Sequence, residues 1–269
     1  MFRNLQIEWM KIKNYRVFQV FSVLYLIGIV VIIYIFYRVY MDVMRQLVSS
    51  VAPNSKAAQE GHDFLRLFTA DTIWNTVCFW TSLLLYLPGM IIISLFINEV
   101  NFKTHRQNII DGWKRETFIF TKLGLIVCIS IAVTIMNAVA TFAMCQITGI
   151  EFSLLSGLDT LALCFIQTMI YLMLALLLAT FFRKSGVAII VFFIYGLILE
   201  SVLMWLMSKI YPGLQYFLPL EIGDALIPFP AMKHFYVDLP NPTVLLIGAF
   251  AFLSLYIFLT VRKYKFDDL

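Results

Sequence analysis

The hydrophobic residues of this chain are gathered into long runs, and short polar stretches separate the runs. A run of about 20 apolar residues can cross a bilayer as an α-helix, because a helix satisfies its own backbone hydrogen bonds. The alternating segments of about ten residues that are typical of membrane β-barrels are not seen. The pattern therefore predicts an all-α integral membrane protein with a single transmembrane domain over residues 1–269. The six predicted spans are Val17–Tyr37, Ile73–Ile97, Leu123–Ile147, Leu161–Phe182, Gly186–Met207 and Val244–Val261.

Composition agrees with this class and narrows the possible chemistry. The chain is 61% hydrophobic and 13% charged, whereas soluble domains are about 25% charged. Its four cysteines lie in apolar runs and its three histidines in separate polar segments, so no disulfide framework or metal site is predicted. The phosphate-binding, zinc-protease, dithiol and serine-hydrolase motifs are absent from the sequence. We therefore expect no catalytic residues, no metal and no nucleic-acid partner.

Lys and Arg residues are distributed unequally between the two sides of the predicted membrane. Fourteen of the twenty lie in the N-terminal segment, the second and fourth loops and the C-terminal tail, which share one side. Because cytoplasmic loops carry an excess of these residues, both termini are predicted to be cytoplasmic. A cleaved signal peptide is the competing interpretation of the N-terminal region. The first apolar run has 21 residues and follows a 16-residue charged segment, and both lengths favour a retained helix.

Two segments outside the spans are also apolar enough to interact with the membrane. In residues 1–16, apolar side chains recur at steps of three, four and three, at Phe2, Leu5, Trp9 and Ile12. This spacing predicts an amphipathic helix in the cytoplasmic interface, with a solvated tail as the alternative. Residues 208–242 are apolar but broken by proline and glycine, which favours an outer re-entrant hairpin before the last span.

The second cytoplasmic loop, residues 98–122, is polar and compatible with a short helix. Phe102, Ile109 and Ile110 would share one side of it, and Asp111–Gly112 would end it. A short helix with an exposed apolar patch suits docking into a groove on a cytosolic partner. An ordinary solvated loop is the alternative, and the residues by themselves leave both open.

Polar residues inside the spans are candidates for a transport path. Glu200 lies well inside the fifth span, where carboxylates are costly and commonly face a cavity or a partner. It is a candidate for a pathway or gating role, and the alternatives are a structural hydrogen bond to the neighbouring hairpin or a protonated acid. In the third span Thr134 and Asn137 share a face with Ser130 and Thr141, so they could line a path or a dimer seam. Hydrogen bonding between packed helices is the commoner role of such residues.

The loop after the second span resembles that of the membrane subunits of second-type ABC exporters. That family includes polysaccharide and drug export permeases and the immunity permeases of lantibiotic producers. Its members share an acidic residue closing the second span, a Thr, a Gly or Pro turn, an Arg, and a Lys opening the third span. The corresponding residues here are Glu99, Thr104, Gly112, Arg115 and Lys122. Lys103 replaces the Gly often found before the Thr, and the six-span architecture extends the resemblance over nearly the whole chain.

The resemblance implies a permease subunit without enzymatic activity of its own. Two such subunits, identical or related, would form the path in a bacterial plasma membrane, and a separate cytosolic ATPase subunit would bind ATP and Mg²⁺. The implied docking residues are Glu99, Phe102, Thr104, Arg106, Ile109, Gly112 and Arg115, with a lesser contact at Arg183 and Lys184. An amphipathic substrate such as a lipid, a peptide or a drug is expected. A secondary transporter and a non-transporting scaffold or sensor remain as alternatives.

Overall fold

The structure is a computed structural model that describes residues 2–49, 66–102, 104, 115–182, 184–230, 236 and 238–266. Every regular element in these ranges is a helix, which confirms the predicted all-α class. The helices are α1 Phe2–Lys13, α2 Arg16–Ser49, α3 Ile73–Asn101, α4 Arg115–Thr148, α5 Leu158–Phe181, α6 Ser185–Ile210, α7 Glu221–Asp224 and α8 Pro242–Phe266. Short 3₁₀ turns lie at Arg66–Phe68, Leu155–Gly157 and Leu214–Phe217.

Six of these helices, α2 to α6 and α8, are long and apolar enough to cross a bilayer. The chain is therefore a multi-pass membrane protein. Five of the six predicted spans lie wholly within these helices, and the fourth passes the end of α5 by one residue, at Phe182.

Two of the spanning helices contain an irregular turn. In α3 the turn is a 3₁₀ segment at Leu83–Leu85. Pro88 follows it, and proline has no N–H and clashes with the carbonyl four residues earlier, here that of Leu84. In α6 the turn is a π-helical segment, Tyr195–Leu199. Such π turns are rare and occur often at functional sites.

The fifth helix, α5, lies at the centre of the bundle and packs against α3, α4 and α8. In its most apolar stretch 67% of the residues are buried, compared with 11% in α2 and 17% in α6. Gly89 of α3 permits a close approach to α6, because a Cβ there would lie 2.5 Å from the ring of Phe192. The low buried fractions of α2 and α6 mean that these two helices leave most of their apolar surface facing away from the protein.

The bundle has two ends, which we distinguish by the elements that lie at each. The N-terminal end holds α1, the end of α3, the start of α4 and the end of α8, where the rings of Phe118 and Tyr264 stack at 5.2 Å. We call the other the distal end. There the Tyr40 hydroxyl of α2 donates to the carbonyl of Thr148 at the end of α4, at 3.4 Å.

Candidate functional site

Four charged side chains meet at the N-terminal end and form what we call the ion cluster, Glu8, Lys11, Glu99 and Lys122. The Lys122 ammonium donates to a carboxylate oxygen of Glu8 and, at 2.7 Å, to Oε1 of Glu99. Lys11 donates to the other Glu8 oxygen at 3.2 Å and lies 4.0 Å from Glu99 Oε1. The cluster thus contains two positive and two negative groups.

The positions of these residues on their helices explain why they meet. Glu99 lies in the last turn of α3 and Lys122 in the second turn of α4, so the two flank the polar loop. The exposed fractions of the Lys122 and Glu8 side chains are only 3% and 1%. A buried charge without a partner is very unfavourable, and the pairing removes that penalty only while all partners are present.

Two opposing effects set the ionisation of Glu8. Burial by itself raises the pKa of this carboxyl, but the positive charges of Lys122 and Lys11 and their hydrogen bonds outweigh burial. The pKa of Glu8 therefore lies below its usual value, and the group is ionised at neutral pH.

The structure describes part of the predicted docking surface. The Phe102 side chain follows α3 directly and is 73% exposed. The Thr104 hydroxyl donates to the carbonyl of Glu99 at 3.1 Å and so extends the end of α3. Lys184 is exposed and directly precedes α6. The other predicted docking groups lie outside the described residues, namely Arg106, Ile109, Gly112, Arg183 and the side chain of Arg115.

Glu200 lies at the distal end, immediately after the π turn of α6, and is 3% exposed. Its Oε1 accepts hydrogen bonds from the backbone N–H groups of Leu220 at 2.6 Å and Glu221 at 2.9 Å. This is the structural hydrogen bond to the segment before the last span that the sequence left open as an alternative. The pathway role of Glu200 stays a prediction.

Asp224 anchors the same segment to α5. Its carboxylate accepts from the Gln167 amide at 2.7 Å and from the Tyr171 hydroxyl at 2.9 and 3.1 Å. Burial raises the pKa of Asp224 to about 6. Burial and the neighbouring Asp224 and Glu200 charges raise the pKa of Glu221 further, to about 9. The Glu221 carboxyl is therefore mostly protonated at neutral pH.

A cavity of about 430 Å³ lies between α3, α5, α6 and the described part of the segment before α8, and Glu200, Glu221 and Asp224 all line it. The other two polar candidates, Thr134 and Asn137, do not line this cavity. Asn137 of α4 donates to the Cys164 thiol of α5 at 2.8 Å, and Thr134 donates within α4. As pathway residues both therefore remain predictions, and the structure places them in helix packing away from this cavity.

Several residues of these two sites were not singled out from the sequence, namely Glu8, Lys11, Gln167, Tyr171, Glu221 and Asp224. A signal existed for some of them. Glu8 is the single acidic residue in an otherwise basic N-terminal segment, and Glu221 and Asp224 stand in a strongly apolar stretch. Acidic residues in such surroundings are costly unless something nearby compensates them.

Neither site resembles a metal centre. Among the residues that the structure describes, no group of three or more His, Cys, Asp or Glu side chains could hold a metal ion. No family model and no curated protein sequence matches this chain. The functional interpretation therefore rests on the chain's own residues and their geometry.

Proposed function

We propose that this chain is the permease subunit of a second-type ABC exporter. It would form the translocation path with a second copy or a paralogue and dock on a separate ATPase subunit that binds ATP and Mg²⁺. The observation that carries the proposal is the ion pair between Glu99 and Lys122. These residues begin and end the stretch in which the resemblance to that family lies, and their contact joins the two ends of the docking loop.

The ion cluster connects that loop firmly to three helices. Glu99 belongs to α3, Lys122 to α4 and Glu8 to α1. Pulling any of them out of the cluster would leave a buried charge without its partner. A push on the loop would therefore move the three helices together. This is the mechanical property that a coupling element requires.

The surface beside the cluster suits a protein partner. Phe102 offers an exposed aromatic ring at the end of α3, and Lys184 offers an exposed positive charge at the start of α6. Exposed aromatic residues are frequent anchors in protein interfaces. Docking there would bring the partner against the helices that the cluster joins.

We propose that the N-terminal end lies in the cytoplasm, as the Lys and Arg distribution favours, and that the membrane is a bacterial plasma membrane, as the family resemblance implies. In α1, Glu8 and Ile12 pack on the bundle, whereas Trp9 and Met10 are 56% and 62% exposed. Exposed Trp and Met beside basic residues suit a helix lying in the membrane interface. Residues 208–242 would form the re-entrant hairpin in the outer leaflet, since most side chains of residues 213–230 within this segment are buried or half-buried.

One observation favours the rival function of a secondary transporter. Such a protein needs ionisable groups within the membrane to couple ion and substrate movement, and three carboxyl groups line the cavity at the distal end. A proton-coupled transporter would work without an ATPase partner. The two functions therefore differ in the energy source of transport.

The decisive experiment is purification of the tagged chain from its native membrane, followed by identification of bound proteins. We expect a P-loop ATPase to co-purify, and we expect the Phe102→Ala variant to retain much less of it. The Leu155→Ala variant is the matched control, because Leu155 is an 82% exposed apolar residue at the distal end. If no such ATPase is found, and substrate movement follows the proton gradient, the exporter proposal is wrong.

A further inference from the structure

The distal cavity combines acidic groups with aromatic walls. Its acidic side chains are Glu200 from α6 and Glu221 and Asp224 from the segment that follows. Neither Lys nor Arg is among its lining residues in the part of the chain that the structure describes. Acidic groups without a basic counterpart favour a cation over an anion there.

Two of the carboxyl groups have hydrogen-bonding capacity left over. Both backbone N–H groups that bind Glu200 bind its Oε1, and Oε2 has no partner among the described residues, although Glu200 is only 3% exposed. The Glu221 carboxyl likewise has no hydrogen-bond partner among those residues. Asp224, in contrast, is occupied by Gln167 and Tyr171. The first two groups are therefore the ones available to a ligand.

Aromatic rings form much of the remaining wall. Phe79, Tyr86 and Tyr171 line the cavity from α3 and α5, and Tyr216 and Tyr236 line it from the segment before α8. The ring of Tyr86 is stacked on that of Phe193 at 5.0 Å, which holds it in place. Aromatic rings attract cations through their electron-rich faces, and this attraction is strongest for poorly hydrated organic cations.

We propose that this cavity is a binding site for an organic cation, an ammonium or guanidinium group carried on an apolar body. A bare metal ion fits less well, because among the described residues the acidic side chains do not form a cluster able to hold one. The volume of about 430 Å³ also exceeds what a single ion needs. The carboxyl groups would receive the charged head and the aromatic walls the apolar body.

The site does not depend on the proposed exporter function. A secondary transporter, or a sensor that only binds its ligand, could use the same cavity. For this reason the test measures binding to the purified chain alone, and its result is independent of whether an ATPase co-purifies.

The experiment is calorimetric titration of the protein in lipid nanodiscs at pH 8 with three probes. These are benzyltrimethylammonium, choline, and the uncharged analogue of choline in which carbon replaces nitrogen. We expect affinity to fall in that order, because the second probe lacks the aromatic body and the third also lacks the charge. Equal binding of the charged and uncharged probes, or binding of none, would overturn the proposal.

Variants at the two available carboxyl groups localise the binding. We expect Glu221→Gln and Glu200→Gln each to weaken benzyltrimethylammonium binding about tenfold, since each removes a carboxyl group that can ionise beside the bound cation. The amide oxygen at position 200 can still accept from Leu220 and Glu221, which keeps the backbone contact. Glu151→Gln is the control, because Glu151 is exposed and lies outside the cavity. If the cavity variants bind as the control does, the site lies elsewhere and the proposal fails.

Discussion

The Lys122 side chain is buried, with only 3% of it exposed, and its ammonium group forms ion pairs with the carboxyl groups of Glu8 and Glu99. Its ammonium also lies 5.1 Å from the centre of the Phe118 ring, which adds a favourable cation–π contact. Lys122 therefore stabilises the fold only together with its partners in the ion cluster. Replacing Lys122 alone lowers the free energy of unfolding more than replacing the whole ion cluster by apolar side chains.

The Lys122→Met variant should therefore unfold at a markedly lower temperature, because the buried carboxyl groups of Glu8 and Glu99 lose their main partner. The expected loss is about 3–5 kcal/mol of unfolding free energy. Thermal unfolding in detergent can be followed with a thiol-reactive dye in a Cys128→Ser background, since Cys128 is exposed whereas Cys78 and Cys145 are buried in the folded protein.

Lys11→Met serves as the control, because Lys11 is 37% exposed and Glu8 keeps its closer partner Lys122, so we expect a smaller loss of stability. A triple variant that also carries Glu8→Gln and Glu99→Gln should recover much of the stability lost in Lys122→Met. If Lys122→Met is no less stable than Lys11→Met, the buried ion cluster is not what holds the N-terminal end together.

The raised pKa values at the distal end make stability depend on pH. The pKa of Glu221 rises from its usual 4.5 to about 9, so the folded state binds this proton more tightly than the unfolded chain. The resulting stabilisation is complete below pH 4.5 and is lost as the pH rises to about 9. Asp224, with its pKa raised to about 6, acts in the same direction over a narrower range.

We expect the unfolding temperature of the wild-type protein to fall between pH 5 and pH 9. Glu221→Gln should make this decline shallower, because an amide stays uncharged throughout. The comparison is a series of thermal unfolding curves for wild type, Glu221→Gln and the exposed-site variant Glu151→Gln. Equal slopes for all three would show that Glu221 does not hold its proton in the folded state.

At the scale of the helix, the π turn of α6 explains the position of Glu200. A π turn accommodates one residue more than an α-helical turn, so it shifts the face that the following residues present. Glu200 directly follows Tyr195–Leu199 and is buried, whereas its neighbours Leu199 and Ser201 are exposed. The irregular turn thus directs one carboxyl group inward from a helix whose surface is otherwise mostly exposed.

Gly196 lies within that turn and is one of the residues that line the distal cavity. A Cβ at this position would come within 2.2 Å of the Tyr86 hydroxyl oxygen, and Tyr86 is only 7% exposed. We expect Gly196→Ala to cost about 1–3 kcal/mol of stability, as overpacking commonly does, and to weaken cation binding by narrowing the cavity. Thermal unfolding and probe titration measure the two effects.

The same helix provides a control for that substitution. A Cβ at Gly186, in the first turn of α6, would meet no atom within 4 Å. Gly186→Ala should therefore leave the unfolding temperature unchanged or raise it slightly, since alanine is the better helix former. If the two variants behave alike, close packing at Gly196 is not the reason for any effect.

At the scale of the whole molecule, the proposed orientation can be tested on intact cells. Glu151 and Lys184 are exposed and lie in linkers at opposite ends of the bundle. In a background with Cys128→Ser, a membrane-impermeant maleimide should label Glu151→Cys in intact cells and Lys184→Cys only after permeabilisation. The reverse pattern would place the docking loop outside the cell, and no cytosolic ATPase could then reach it.

The six long apolar helices could be predicted from the sequence because burial in a bilayer varies along one direction, and hydropathy records that variation residue by residue. The pairing of Glu8 with Lys122 could not be predicted in this way, since it joins residues 114 positions apart and depends on how three helices are rotated. Asp224 presents the same difficulty, because its partners Gln167 and Tyr171 belong to another helix. The π turn has no marker in the hydropathy pattern.

The separation of Glu8 from Lys122 has a consequence for biosynthesis. Translation proceeds at about 5–20 residues per second, so after Glu8 the ribosome adds the 114 residues up to and including Lys122 in roughly 6–23 seconds. During that interval the main counter-charge of Glu8 does not yet exist. We therefore expect the N-terminal helix to stay undocked in the nascent chain and to settle on the bundle only after the third membrane-spanning helix has been inserted.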